Sequence, residues 1–190
     1  MKDVISMEQS DWKTLGKSII YENPWIRVEH RDVINPSGNP GIYGTVHYKN
    51  IAIAVLPIDE EGYTYLVGQY RYVLSSYSWE IPEGGCPEGE DLLESAAREL
   101  REETGLVAGS YELLMGELQL SNSVSDERAW LYVARDLSQT ERDPEDTEQI
   151  AVKRLPLVEA IAMAERGEIR DVMSVVALLR LKGLGERGKD

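Results

Sequence analysis

Apolar and polar residues alternate along the first quarter of the chain. KSIIYEN (17–23), PWIRVEHRDVI (24–34) and IYGTVHY (42–48) read as half-buried strands. NPSGNPG, between the last two, is turn chemistry: asparagine, proline and glycine each bend the chain for a different reason. The pattern predicts a small antiparallel sheet over residues 17–48, preceded by a loose polar stretch over 1–13. IAIAVLPI (51–58) drops the alternation and is nearly all apolar, as a strand buried on both faces would be. YTYLVGQYRY (63–72) and SYSWEI (76–81) predict two further strands, and PEGGCPEG (82–89) a loop. YELLMGEL (111–118) and RAWLYVAR (128–135) predict strands flanking a polar loop, and QIAVKRLPL (149–157) another strand. The chain ends in two helical stretches, LVEAIAMAERGEI (157–169) and DVMSVVALLRLKGL (171–184), with Met163 and Met173 at core positions. Strands framing helices give a mixed α/β, or α+β, fold.

EDLLESAARELREET (90–104) predicts a helix, stopped by Gly105. At about 100° per residue, Leu93, Ala96, Ala97 and Leu100 share a stripe that faces the core. Glu99, Glu102 and Glu103 share another face, with Arg98 on its flank. Glu90 and Asp91 stand at the N-terminus, where the helix dipole favours acids. Glu99 and Glu103 are like charges four residues apart, which repel by a few tenths of a kcal/mol. Two readings follow from spacing alone. The acidic face is solvated surface, as for Glu90, Asp91 and Glu94, or it holds a hard divalent cation, which prefers carboxylate oxygens.

Composition narrows the possibilities. A chain of 190 residues with 42% hydrophobic content suffices for one core with a small appended segment. The net charge of −14 argues against a general nucleic-acid or anionic-membrane binder, because phosphates would be repelled. It leaves room for a small phosphorylated substrate bridged by metal ions. The single cysteine, Cys86, gives no disulfide framework, and with two histidines in the chain it makes a poor candidate thiol nucleophile. His30 and His47 sit in strands and read as structural. The first residues, MKDVISMEQSDWK, hold no apolar signal region, and no apolar run approaches the ~20 residues that span a bilayer. The expectation is a cytoplasmic protein.

Gly84, Glu90 and the run Arg98-Glu99-Leu100-Arg101-Glu102-Glu103-Thr104-Gly105-Leu106 resemble the Nudix box of the Nudix hydrolases at every fixed position. QYR (69–71), WEIPEGG (79–85), SDER (125–128) and GEIRDVMSVVALLRL (167–181) resemble the ADP-ribose and nucleoside-diphosphate-sugar branch of that family. The resemblance implies a helix–sheet–helix sandwich over 49–190. It also implies an N-terminal antiparallel β element within 1–48 that serves dimerisation and contributes to base binding. It implies hydrolysis of the diphosphate bond of ADP-ribose or an NDP-sugar, giving a nucleoside monophosphate and a sugar phosphate. The required cofactor would be Mg²⁺ or Mn²⁺, two or three ions per site. The partners would be the small nucleotide-sugar and a second copy of the chain, paired through 17–48.

Carried over residue by residue, Glu99 and Glu103 are the principal metal ligands, Glu102 supports them, and Glu83 adds its backbone carbonyl. Gly84 allows the loop to return over the helix, Arg98 pairs with a carboxylate such as Glu90, and Gly105 ends the helix. In the late acidic loop DPEDTEQIAV, Glu148 matches a metal ligand and Asp146 the general base, with Glu145 the alternative base. Arg71, Tyr43, Trp25 and Arg128 are the candidate substrate contacts. Two departures stand out: a glutamate side chain at Glu83, and Ser121-Asn122-Ser123-Val124 where ADP-ribose hydrolases commonly have a serine-proline-glycine turn. The second leaves GDP-mannose or another NDP-sugar open beside ADP-ribose. Within the family the alternatives are dinucleotides, capped RNA or nucleoside triphosphates. Outside enzymes the alternative is a silent, nucleotide-sensing domain, whose usual mark is loss of box carboxylates.

Overall fold

The computed structural model describes residues 10–141 and 149–187. They fall into two compact units, one of residues up to Lys49 with Ser121–Glu127, the other of Asn50–Leu120 and residues from Arg128 onward.

The first unit is a three-stranded antiparallel meander of β1 (Lys13–Glu22), β2 (Ile26–Ile34) and β3 (Pro40–Tyr48). Asn23 sets the first bend: its Oδ1 accepts the N–H groups of Trp25 and Ile26 at 2.9 and 2.8 Å. Asn35 sets the second, accepting from Ser37 and Asn39 at 3.0 Å each, while Gly38 takes φ 86°. Residues 121–127, expected as a plain loop of the main body, attach to β3. Val46 donates to the Val124 carbonyl at 2.8 Å, and the Tyr48 N–H reaches Asp126 Oδ1 at 2.9 Å. Glu29 is a buried carboxylate satisfied by cations, with Arg31 at 2.8 Å and Arg27 at 3.2 Å. The half-buried expectation fails for β1, where Leu15, Ile19, Ile20 and Tyr21 are all exposed. Alternation tells which side chains share a face, not whether this chain covers that face.

The second unit holds two sheets. One is four-stranded, ordered β7 (Glu83–Cys86), β4 (Ile51–Pro57), β9 (Arg128–Gln139), β8 (Leu106–Gln119), with β4 and β9 parallel and the other pairs antiparallel. The other is antiparallel, ordered β10 (Ala151–Pro156), β5 (Tyr63–Arg71), β6 (Ser76–Glu80). β4 explains its own sequence. Ile53 and Val55 join a cluster with Ala96 and Leu100 of α1 (Leu92–Thr104), while Ala54 and Leu56 join one with Ala160 and Met163 of α2 (Leu157–Glu165) and Met173 and Ala177 of α3 (Val172–Arg187). A strand covered on both faces needs apolar residues at every position. The result is the expected helix–sheet–helix sandwich. Among the described residues no helix is long and apolar enough to cross a membrane.

Two local expectations change. The glycine-rich stretch expected as a loop is partly strand: Glu83–Cys86 pairs with Ala54–Ile51. Glycines inside a strand mark a close approach rather than a turn. α1 begins at Leu92, because Asp91 caps it by accepting from the N–H groups of Leu93 and Glu94 at 2.8 and 3.1 Å. Its buried arc is rotated from the expected stripe. Leu93 is exposed, whereas Ala96, Glu99, Leu100, Glu103 and Thr104 are buried. At about 100° per residue, Glu99 and Glu103 each lie within about 20° of Leu92. The glutamates share the inward face because β7 comes to meet them.

Candidate active site

β7 and α1 build the site between them. The strand brings Glu83, Gly84 and Gly85 along the edge of the four-stranded sheet, and the helix presents Glu99 and Glu103 toward them. Gly84 is required by space: a Cβ there would lie 2.1 to 2.4 Å from the Glu99 carboxylate. Glu103, 1% exposed, accepts the Glu83 N–H on Oε2 at 2.9 Å, which ties strand to helix. Arg98 makes a second tie. Its Nη2 donates to the Gly85 carbonyl at 2.8 Å, and its Nη1 to Glu99 and Glu102 at 2.8 and 3.1 Å. Glu90 lies 4.0 Å from the same guanidinium and accepts from Ser95 Oγ at 3.2 Å. Burial alone would lower the Arg98 pKa; Glu99 and then Glu102 outweigh it and hold the guanidinium above its ordinary value. Gly105 ends the helix at φ 72°.

A second group joins this one through Glu83. Arg71, at the end of β5, donates from Nε to both Glu80 oxygens at 3.0 and 3.1 Å and from Nη2 to Glu83 Oε1 at 2.6 Å. Glu80, 3% exposed at the end of β6, escaped the sequence reading as a site residue. Its signal was a carboxylate ending an alternating strand immediately before Ile81-Pro82. Asp171 was also missed: it lies in the turn before α3, and its charge acts on Glu83. Burial pushes the Glu83 carboxyl well above the usual range, and the negative charges of Asp171 and Glu80 push it further, against the pull of Arg71. Arg71, Glu80, Glu83 and Asp171 line one wall of a cleft of about 720 Å³.

The donor set suits a hard divalent cation. It is all carboxylate oxygen, it is crowded, and Glu83 Oε2 is buried without a hydrogen-bond partner. Among the described residues no three His, Cys, Asp or Glu side chains already stand as a metal-holding group, and Arg98 and Arg71 pair with several of these carboxylates. Glu145, Asp146 and Glu148 lie outside the described residues. The other expected contacts are placed as follows. Tyr43 stacks edge-on to Trp12 at 5.2 Å and donates to the Ser123 carbonyl at 2.6 Å. Trp25 is exposed at the β1–β2 bend. Arg128, at the start of β9, lies over the Trp130 ring at 5.8 Å.

Comparison with known proteins agrees with this architecture. The NUDIX domain family profile matches residues 48–175, and the profile of the nucleoside diphosphate sugar hydrolase N-terminal domain matches residues 12–46. The chain is 30% identical over 178 residues to an ADP-ribose pyrophosphatase of Bacillus subtilis, covering 93% of this chain and 95% of the relative. It is 32% identical over 172 residues to a methanol dehydrogenase activator of Bacillus methanolicus, covering 90% and 92%. A crystal structure of an ADP compounds hydrolase superposes with a TM-score of 0.83 over 96% of this chain and 98% of that one, at 23% identity, and so speaks to the fold. Box, sandwich and sequence relatives agree: the chain belongs to the Nudix hydrolase family.

Proposed function

We propose that this protein hydrolyses the diphosphate linkage of ADP-ribose or a closely related nucleoside diphosphate sugar, releasing a nucleoside monophosphate and a sugar phosphate. The observation that carries the reading is the acidic face of α1, turned inward against β7 with Gly84 left bare for the Glu99 carboxylate. A solvated acidic face would point outward and would need no glycine opposite. The relatives named ADP-ribose pyrophosphatase support the substrate class, as does the N-terminal sheet matched over 12–46.

Nudix hydrolases generally use divalent metal ions. Here Glu99 and Glu103 would hold Mg²⁺ or Mn²⁺, with Glu102 in support and Glu83 contributing from β7, for two or three ions in all. Bound there, the metal would neutralise diphosphate charge and make water a stronger nucleophile. The protein's own part is positional. Arg98 fixes the helix against the Gly85 carbonyl, Glu103 holds the Glu83 N–H, and Arg71 keeps Glu80 and Glu83 facing the cleft. Asp146, or Glu145, is the proposed base and Glu148 a further ligand. Tyr43, Trp25 and Arg128 remain proposed substrate contacts. The exposed apolar residues of β1 support a homodimer through 17–48. The lone, buried Cys86 suits a reducing, cytoplasmic setting.

A substrate panel tests the proposal: ADP-ribose, GDP-mannose, ADP-glucose, UDP-glucose, NADH and dGTP, each with Mg²⁺ or Mn²⁺. The highest kcat/KM is expected for ADP-ribose or one of the NDP-sugars. Turnover of none of them overturns the enzyme reading, and preference for NADH or dGTP moves the substrate to another branch of the family.

A further inference from the structure

The cleft beside the box has a second wall that the mechanism above does not use. It is formed by the β5–β6 connection and by the turn between α2 and α3, which contributes Glu168 and Arg170. A cleft of about 720 Å³ is the size that holds most of a small organic ligand. Its charged lining is Glu80, Glu83, Glu168 and Asp171 against Arg71 and Arg170. Such a lining repels an anion unless a cation in it is available. Arg71 is committed to Glu80 and Glu83. Glu168 is held by Arg166 at 2.7 Å, and Asp171 Oδ2 accepts the Ser174 N–H at 2.7 Å. Arg170 is exposed and, among the described residues, pairs with none of these carboxylates.

We propose that this cleft is the subsite for the sugar-phosphate half of the substrate, and that Arg170 grips the phosphate of that half. The inference rests on the diphosphate-hydrolase reading above. A guanidinium offers five donors in a planar fork that matches phosphate oxygens in pairs. The rest of the lining suits a polyhydroxylated moiety. Gln69, Ser78 and the carboxylates accept hydroxyl protons. Tyr70, Tyr72 and Tyr77 stand 60%, 89% and 49% exposed at the rim, with amphipathic rings that pack against a sugar. Glu83 belongs both to this lining and to the strand tied to Glu103, so the cleft reaches the box.

The test uses the full chain with Mg²⁺ and compares wild type with Arg170→Ala and Arg170→Lys. Arg170→Ala is expected to raise KM for ADP-ribose about tenfold and to leave kcat within about twofold, because the contact is made in ground and transition states alike. Arg170→Lys is expected to recover part of the loss. By calorimetry, ribose 5-phosphate should bind Arg170→Ala about tenfold more weakly, while AMP binds both proteins equally. Unchanged KM and unchanged ribose 5-phosphate affinity overturn the inference and leave the enzyme reading intact, as does equal weakening of ribose 5-phosphate and AMP. If wild type turns over no nucleotide sugar, the enzyme reading fails. Ribose 5-phosphate binding lost in Arg170→Ala then still supports the subsite, and no binding to wild type overturns it. Arg170 is exposed, so the variants should melt with wild type, which a thermal scan checks.

Discussion

Glu83 shows how one residue can carry the tension of a whole site. Its carboxyl is buried beside Glu80 and Asp171, and one oxygen accepts no hydrogen bond. Its folded-state pKa therefore lies above the unfolded value. The stabilisation this gives is complete below about pH 4.3 and is lost as pH rises through the folded pKa, because the folded state binds the extra proton. Glu83→Gln removes that dependence while keeping a side-chain oxygen for Arg71. In metal-free protein in EDTA, the melting temperature of Glu83→Gln relative to wild type should climb as pH rises from about 4.3, then level off. Mg²⁺ should narrow the gap by stabilising the ionised form. A difference between the two proteins that does not vary with pH would contradict this account of Glu83. The box residues were legible in the sequence because their spacing is rigid. Glu80 and Asp171 were not, since each comes from a different element and only the fold puts their charges beside Glu83.

At the scale of elements, α1 was legible at both ends and misread in its middle. Asp91 and Gly105 are sequence-local signals, and both act as caps in the fold. Asp91→Ala should lower stability by about 1 kcal/mol in denaturant unfolding, with kcat unchanged, because the Asp91 carboxylate caps the first turn by accepting from Leu93 and Glu94. An unchanged midpoint would show that the cap contributes nothing. The buried arc was misassigned because assigning glutamates to solvent holds only where nothing comes to meet them. Here β7 does, and its own nature was hidden by Gly84 and Gly85, which read as a turn but lie in a strand under Glu99 and Asn50. β4 was read correctly for the opposite reason: its uninterrupted apolar run has few other uses than a strand covered twice.

At the scale of the molecule, the chain leaves apolar surface on its N-terminal sheet. Leu15, Ile19, Ile20, Trp25 and Ile42 are each more than half exposed. A patch of this kind marks an interaction surface, and a second copy of the chain is the partner proposed. Light scattering should give about twice the chain mass of 21.4 kDa, and Ile19→Glu with Ile20→Glu should shift it toward one chain mass. Wild type at 21.4 kDa would contradict the dimer. Strand pattern predicted these strands, yet a single sequence does not say what lies on the far side of an exposed face.

We propose that the inward carboxylates of α1 hold the metal that diphosphate hydrolysis needs. Mn²⁺ binding, followed by electron paramagnetic resonance in wild type and in Glu103→Gln, with ADP-ribose turnover measured on the same samples, tests it most directly. Wild type should bind Mn²⁺ and turn over substrate, and should lose turnover in EDTA. Glu103→Gln should bind at least about tenfold more weakly and lose at least about 10²-fold in kcat, while melting cooperatively. Glu103→Gln that binds Mn²⁺ and turns over ADP-ribose as wild type does would contradict the claim, as would wild-type turnover undiminished by EDTA.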